Sequence, residues 1–303
     1  MQINDLPLSY IFDFCEVDEA LRKAYFAEFA ANGVKHLVLS SPLLMQLIAD
    51  RNLMRALPQE MAQFGLSFAD GHFPYNEHWN FNCVFERERK SLVLRHKMNL
   101  NIAALLGVKT MTFHVGNDCF YPDIPFRKHI DRACQIIDSL LDEAGKCGVI
   151  MCVENIFART ATTDILLEIV QKFDSPHLGL CYDSGHANLM DKGRFYEDTD
   201  GHRLFHGVGN WGGEPVWEDT LQRQERMRPY VVNCHLHDNN GIRDQHTKPG
   251  SGSVDWGGTV RFLESCPRLQ VLQSEVHMCL NSLSVKETVS AFKWAFQQQQ
   301  GEQ

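Results

Sequence analysis

One rhythm constrains this chain more than any other feature: short runs rich in β-branched and aromatic residues alternate with longer amphipathic stretches, eight times along 303 residues. Such alternation marks βαβ units on a parallel sheet. A strand buried on both faces reads as a brief apolar run, and the helix crossing back over it shows a period of 3.6. Strands are read at 9–14, 36–40, 67–71, 110–115, 150–155, 178–183, 230–235 and 270–275. Helices are read at 17–31, 42–56, 86–106, 127–146, 163–172, 218–226, 258–265 and 284–297, the last opened by a capping box of Ser284 and Glu287. Eight units predict closure into a (β/α)8 (TIM) barrel, and barrels of this length form one domain, so residues 1–303 are expected to be a single α/β domain. Two connections, 193–215 after the sixth strand and 238–256 after the seventh, are longer than closure requires, and long loops in compact domains tend to carry function.

Composition removes several classes of function. With 29 Lys and Arg against 38 Asp and Glu, the net charge of −9 offers no general attraction for a polyanion, which counts against a nucleic-acid partner. Ten cysteines lie singly from Cys15 to Cys279 without a CxxC pair, several inside apolar runs (Cys152, Cys181, Cys234), as small buried hydrophobes do. No apolar run approaches the roughly 20 residues needed to cross a bilayer. The opening MQINDLPLSY has no basic stretch followed by a long apolar one, so a cytoplasmic location is expected.

Barrel enzymes carry their chemistry at the C-terminal ends of the strands. His114, Glu154, Asp183, His235 and Glu275 each fall at such an end. Alone, an acidic residue there is usually a helix cap or an ion-pair partner. Together, three carboxylates converging on one mouth repel one another and lose hydration, a cost that a cation or bound protons must offset. Glu, Asp and imidazole donors without thiolate suit Mn, Zn, Fe or Co, and Mg less well. Metal ligands are therefore expected at Glu154, Asp183, His235 and Glu275. His72, His114, His186, Asp244 and His246 are candidates for further ligands or substrate contacts.

The segments HFPYN at His72, FHVG at His114, VENI at Glu154, CYDSGHA at Asp183, CHLHDNNG at His235, DQH at Asp244, PGSGSVDW at 249–256 and SEVH at Glu275 give the chain a resemblance over nearly its whole length. It resembles the xylose isomerase-like barrels, which include sugar and sugar-phosphate isomerases and epimerases as well as AP endonucleases of the endonuclease IV type. In the sugar enzymes one divalent metal is held by positions matching Glu154, Asp183, His235 and Glu275. In the endonucleases a fuller set, matching all nine residues named above, holds three zinc ions. HLHDNNG departs from the endonuclease pattern, and PGSGSVDW looks like the turn common in the sugar branch.

The resemblance implies proton abstraction next to a carbonyl through a metal-stabilised enediolate, with Glu154 and Glu275 as catalytic base and acid on opposite faces of a carbohydrate. The alternatives are multinuclear hydrolysis, or lyase or dehydratase chemistry on the same scaffold. His186, Arg243 and Trp256 are expected to touch substrate, Trp79 and Trp211 are further stacking candidates, and PGSGS is either an anion cradle or a plain turn. A homo-oligomer is compatible with all of this.

Overall fold

A computed structural model describes residues 2–12, 14, 17–119, 121–191 and 217–298. Eight parallel strands close in sequence order: β1 Leu8–Tyr10, β2 His36–Leu39, β3 Ser67–His72, β4 Thr110–Phe113, β5 Ile150–Glu154, β6 Leu178–Asp183, β7 Val231–Leu236 and β8 Val271–Ser274. β8 returns to β1 with Ser9 opposite Gln273, which completes the barrel. The single-domain TIM barrel expected from the alternation is the observed fold. No described helix is long and apolar enough to cross a membrane.

The helical layer comprises α1 Glu19–Ala31, α2 Ser41–Ala49, α3 Arg51–Ala62, α4 Glu86–Leu105, α5 Phe126–Cys147, α6 Thr163–Phe173, α7 Ser184–Leu189, α8 Thr220–Met227, α9 Trp256–Ser265 and α10 Val285–Ala295. Its apolar faces meet the outward strand residues in one core that includes Met111, Phe113, Ile136, Ile137 and Leu140. Ser284 and Glu287 form the capping box read from sequence, with Glu287 N–H on Ser284 Oγ at 3.2 Å and Ser284 N–H on Glu287 Oε2 at 2.9 Å.

The segment read as one helix over 42–56 is two. Asp50 is extended (φ −124°, ψ 102°) and its carboxylate accepts from the N–H groups of Asn52 and Leu53 at 2.8 and 3.1 Å, so a local side-chain bond replaces the helix ladder and caps α3. α3 then runs through Pro58 to Ala62, beyond the end read at residue 56. A short helix, α7, not among the helices read from sequence, also follows β6 directly, with Asp183 as its cap. The long connection 193–215, with His202, His206 and Trp211, lies outside the described residues.

Inside the barrel the filling changes character. Cys152, Cys181 and Val232 form a small apolar cluster apart from the main core. Beside it, Thr110 Oγ1 donates to Asp70 Oδ1 at 2.6 Å, and Asn233 Nδ2 donates to Asp70 Oδ1 at 3.2 Å and Thr112 Oγ1 at 2.9 Å. This floor underlies the mouth.

Candidate metal centre

Period-two alternation along each strand sends every second side chain inward, and the last inward position of six strands carries a metal-ligating type. Glu154 ends β5, Asp183 ends β6, His72 ends β3, His235 is the penultimate residue of β7, and His114 and Glu275 follow β4 and β8. The donor atoms of Glu154, Asp183, His235 and Glu275 lie within 4.8 Å of one another, as do those of His72, His114 and Glu154. Glu154 belongs to both groups. Its Oε1 meets His235 Nδ1 at 2.9 Å and His186 Nδ1 at 3.5 Å, and its Oε2 meets His114 Nε2 at 2.8 Å and His72 Nε2 at 3.5 Å.

The β6 end is locked by an amide. Asn155 Oδ1 accepts from Asp183 N–H at 2.8 Å and Asn155 Nδ2 donates to Asp183 O at 3.0 Å. Asp183 Oδ1 then accepts from His186 N–H at 2.6 Å, so one carboxylate both caps α7 and faces the mouth. A further group of His186, His237, Asp244 and His246 has donor atoms within 4.8 Å of one another. There Asp244 Oδ2 stands 3.1 Å from His246 Nε2 and 3.4 Å from His186 Nε2. His246 takes φ +46°, a left-handed conformation costing a non-glycine residue about 1–3 kcal/mol, and backbone strain of this kind clusters at functional sites.

Electrostatics explain how so many carboxylates coexist. Burial drives the Glu154 carboxyl upward, but the neighbouring His235 charge and hydrogen bonds from His114, His186 and His235 outweigh it and hold the group well below the usual carboxylate range. Burial likewise opposes ionisation of Glu275, and His235 and His246 overcome it, keeping that carboxyl low as well. Burial depresses the imidazoles, yet Asp183 and Asp244 raise His186 well above its ordinary value, and Asp244 and Glu275 push His246 up to about 9. Without metal, then, the neighbouring carboxylates favour the protonated forms of His186 and His246. A divalent cation fits the same space: Asp244 Oδ1 and His237 Nδ1 are buried without a hydrogen-bond partner, although buried polar atoms are seldom left unpaired.

One side of the mouth is a cavity of about 130 Å³ walled by Ile11, Phe14, Val38, Tyr75 and His277, with Glu275 on its edge. The opposite side holds the His186, Asp244 and His246 group.

The sequence profile of the xylose isomerase-like TIM barrel family matches residues 12–266. The chain belongs to this family. The uncharacterized protein MJ1311 of Methanocaldococcus jannaschii is 25% identical over 227 residues, covering 73% of this chain and 66% of that protein. Among solved structures, 3-keto-D-glucoside 4-epimerase from E. coli superposes with a TM-score of 0.67 at 13% identity, over 96% of this chain and 98% of that one. The IOLI protein with a bound zinc atom superposes with a TM-score of 0.66 at 15% identity, over 95% and 96%. At such identities these likenesses show the fold.

Within this family member, the barrel brings Glu154, Asp183, His235, Glu275, His72, His114, His186, Asp244 and His246 to one mouth. Trp256 goes elsewhere: it is 4% exposed, its indole N–H bonds Asp238 Oδ2 at 3.0 Å and its ring lies edge-on to Phe292, so it offers no stacking face to a sugar. Trp79 is likewise engaged, under the Arg95 guanidinium at 4.3 Å. Arg243 is exposed on the seventh loop. The PGSGS turn does cradle an anion, but a resident one. Gly250 N–H, Val254 N–H and Asn239 N–H all donate to the Asp238 carboxylate at 2.9–3.1 Å, and a Cβ on Gly252 would come within 2.1 Å of Asn239 O.

Sequence reasoning missed His237, Tyr75 and His277. His237 Nε2 lies 3.2 Å from Asp183 Oδ2, and its ring stacks on His246 at 3.8 Å. Its place two residues after His235 would have revealed it, had β7 been read past His235. Tyr75 packs edge-on to His72 at 5.1 Å from a loop, and nothing in its local pattern marks it.

Proposed function

We propose that this chain is a divalent-metal-dependent sugar isomerase or epimerase that moves a proton at the carbon next to a carbonyl. The observation carrying the reading is Glu275, whose side chain lines the cavity, with Oε1 facing His235 Nδ1 at 3.4 Å and Oε2 buried 3.6 Å from His246 Nδ1. Glu154, Asp183, His235 and Glu275 would hold the metal, with His72 and His114 beside them. A metal bound there supplies Lewis-acid polarisation of the substrate carbonyl.

The protein's own part divides between two glutamates. Glu275 takes the proton from carbon, leaving an enediolate, and returns it to the neighbouring carbon, while the hydroxyl proton of the carbon first deprotonated passes to the former carbonyl oxygen. Both oxygens of Glu154 are already engaged by imidazoles, so it holds the centre together instead of serving as the second acid. A single proton-moving carboxylate favours proton return on one face, and therefore isomerisation over two-faced epimerisation. His186, between Asp183 and Asp244, is placed to orient a substrate oxygen.

A second reading, multinuclear hydrolysis, draws support from the donor group of His186, His237, Asp244 and His246 and from the sharing of Glu154 between two others. One experiment separates them. Elemental mass spectrometry counts metal on the purified protein while a panel of free and phosphorylated aldoses and ketoses is incubated in deuterated water and a duplex with an abasic site is assayed for nicking. Exchange of the substrate C–H into solvent without nicking supports the isomerase. Two or three metals with nicking, and no exchange from any sugar, sinks it.

A further inference from the structure

Directly beneath the ring of ligating side chains lies an inward layer of Ser9, Asp70, Thr112, Asn233 and Gln273, none more than 1% exposed. Buried polar atoms normally find partners, and each exception needs a physical account. Ser9 Oγ, Asp70 Oδ2, Asn233 Oδ1 and Gln273 Oε1 have none among the described residues, and neither does His235 Nε2 just above them. Ser9 and Gln273 are register partners across β1 and β8, and Asn233 reaches across the barrel to Asp70. The orphans therefore lie in one inward layer of the barrel.

His235 gives that layer a purpose. Its Nδ1 faces Glu154 at 2.9 Å and Glu275 at 3.4 Å, so Nε2 points the other way, down into the barrel. A ligating imidazole nearly always donates its second N–H to a carboxylate, a carbonyl or water, and that bond sets the tautomer and ring orientation. Cys181 lies beside it, but a thiol is a weak acceptor. Asp70 is the carboxylate of the layer: two donors sit on Oδ1 and none on Oδ2, an arrangement too costly for a buried carboxylate unless the second oxygen is also used.

We propose that Asp70 is a positioning residue for the metal centre, its Oδ2 receiving the Nε2–H of His235 through buried water held by Asn233, Ser9 and Gln273. An internal water needs two to four polar partners, and the orphaned atoms provide them. Asp70 touches neither metal nor substrate. It acts by holding His235 with Nδ1 toward Glu154. The inference rests on the reading of His235 as a ligand.

The test is zinc affinity, measured by chelator competition on wild-type protein, Asp70→Asn and Cys181→Ala, with calorimetric Tm of each metal-free form. Asp70→Asn is expected to weaken zinc binding by about 10–100-fold, with a metal-free Tm no lower than wild type and no change in Cys181→Ala. Equal affinity in Asp70→Asn and wild type, or a loss confined to Cys181→Ala, overturns the assignment, as does a fall in metal-free Tm with affinity unchanged. A wild-type protein that takes up no zinc overturns the reading of the centre itself. Should Asp70→Asn not fold, a high-resolution crystal structure of zinc-loaded wild type decides: water within hydrogen-bond distance of both His235 Nε2 and Asp70 Oδ2 is expected, and a dry layer refutes it.

Discussion

Glu154 and Glu275 are the same residue type at the C-terminal ends of β5 and β8 in one barrel mouth, yet they are built for different work. Glu154 is 1% exposed, with four imbedding imidazoles from β3, β4, β7 and α7 on its two oxygens. Glu275 has a side chain 13% exposed, two imidazole neighbours, His235 on Oε1 and His246 on Oε2, and a place in the lining of an apolar-walled cavity. Strand alternation places both carboxylates. What each can do is decided by side chains arriving from other strands, since a carboxylate saturated with donors is a weak base and a scaffold, whereas one with fewer donors beside a cavity can move a proton.

The sharpest way to break this division is to neutralise each glutamate in turn. Glu154→Gln should lose bound metal and bring proton exchange down to the assay background, because two groups of donors share that carboxylate. Glu275→Gln should keep at least one equivalent of metal and lose about 10²–10⁴-fold in exchange rate, the usual worth of a positioned acid or base. Metal counting by mass spectrometry on both variants reads the contrast directly. If the two lose metal equally, the glutamates are interchangeable ligands and the division fails.

Protonation sharpens it further. In metal-free protein, His246 is pushed up to about 9, above the value near 6.5 expected for an unfolded chain. The stability it contributes is therefore fully present below about pH 6.5 and lost as pH rises through 9. Metal-free protein should show a Tm falling over that window, by about 2–4 °C for each kcal/mol lost. Zinc affinity should rise over the same window, because metal displaces those protons. Glu154 runs the other way: its depressed carboxyl contributes stability above about pH 4.5 that is lost as pH falls. Calorimetry from pH 2 to 9 with and without zinc checks both; a metal-free Tm that climbs from pH 6.5 to 9 excludes a charged His246.

Much of this was legible in the chain because period and position are local properties. The eight strands, the closed order and the carboxylates and imidazoles at strand ends follow from alternation alone. The break at Asp50 and the course of α3 through Pro58 were hidden, since propensity reads neither a side chain capping its own backbone nor a proline that packing tolerates. Trp256 was misread because an aromatic in a glycine-rich loop looks available until its partner, Asp238 from another segment, is known. His237 was accessible but overlooked; Tyr75 and the orphaned polar floor were not, because both are defined by neighbours distant in sequence.

Tyr75 sits on the boundary between the two glutamates and so tests it most finely. Its ring lies 5.1 Å from His72 and 5.2 Å from His114, on the Glu154 side, while it also walls the cavity beside Glu275. Removing an aromatic contact costs about 0.5–1.5 kcal/mol beyond area burial, roughly a threefold to tenfold change in an equilibrium. If Tyr75 serves the cavity, Tyr75→Ala raises KM for the exchanging sugar by about that factor with kcat within about twofold, the pattern of lost uniform binding, and metal content is untouched. If it serves the imidazoles instead, zinc affinity falls by the same factor and KM holds. Steady-state kinetics and chelator competition on this one variant tell the cases apart. The expectation is the first, because neither histidine has a hydrogen bond to the tyrosine that its loss would leave open: His72 Nδ1 is held by Phe73 O at 2.6 Å, and His114 Nε2 by Glu154 at 2.8 Å.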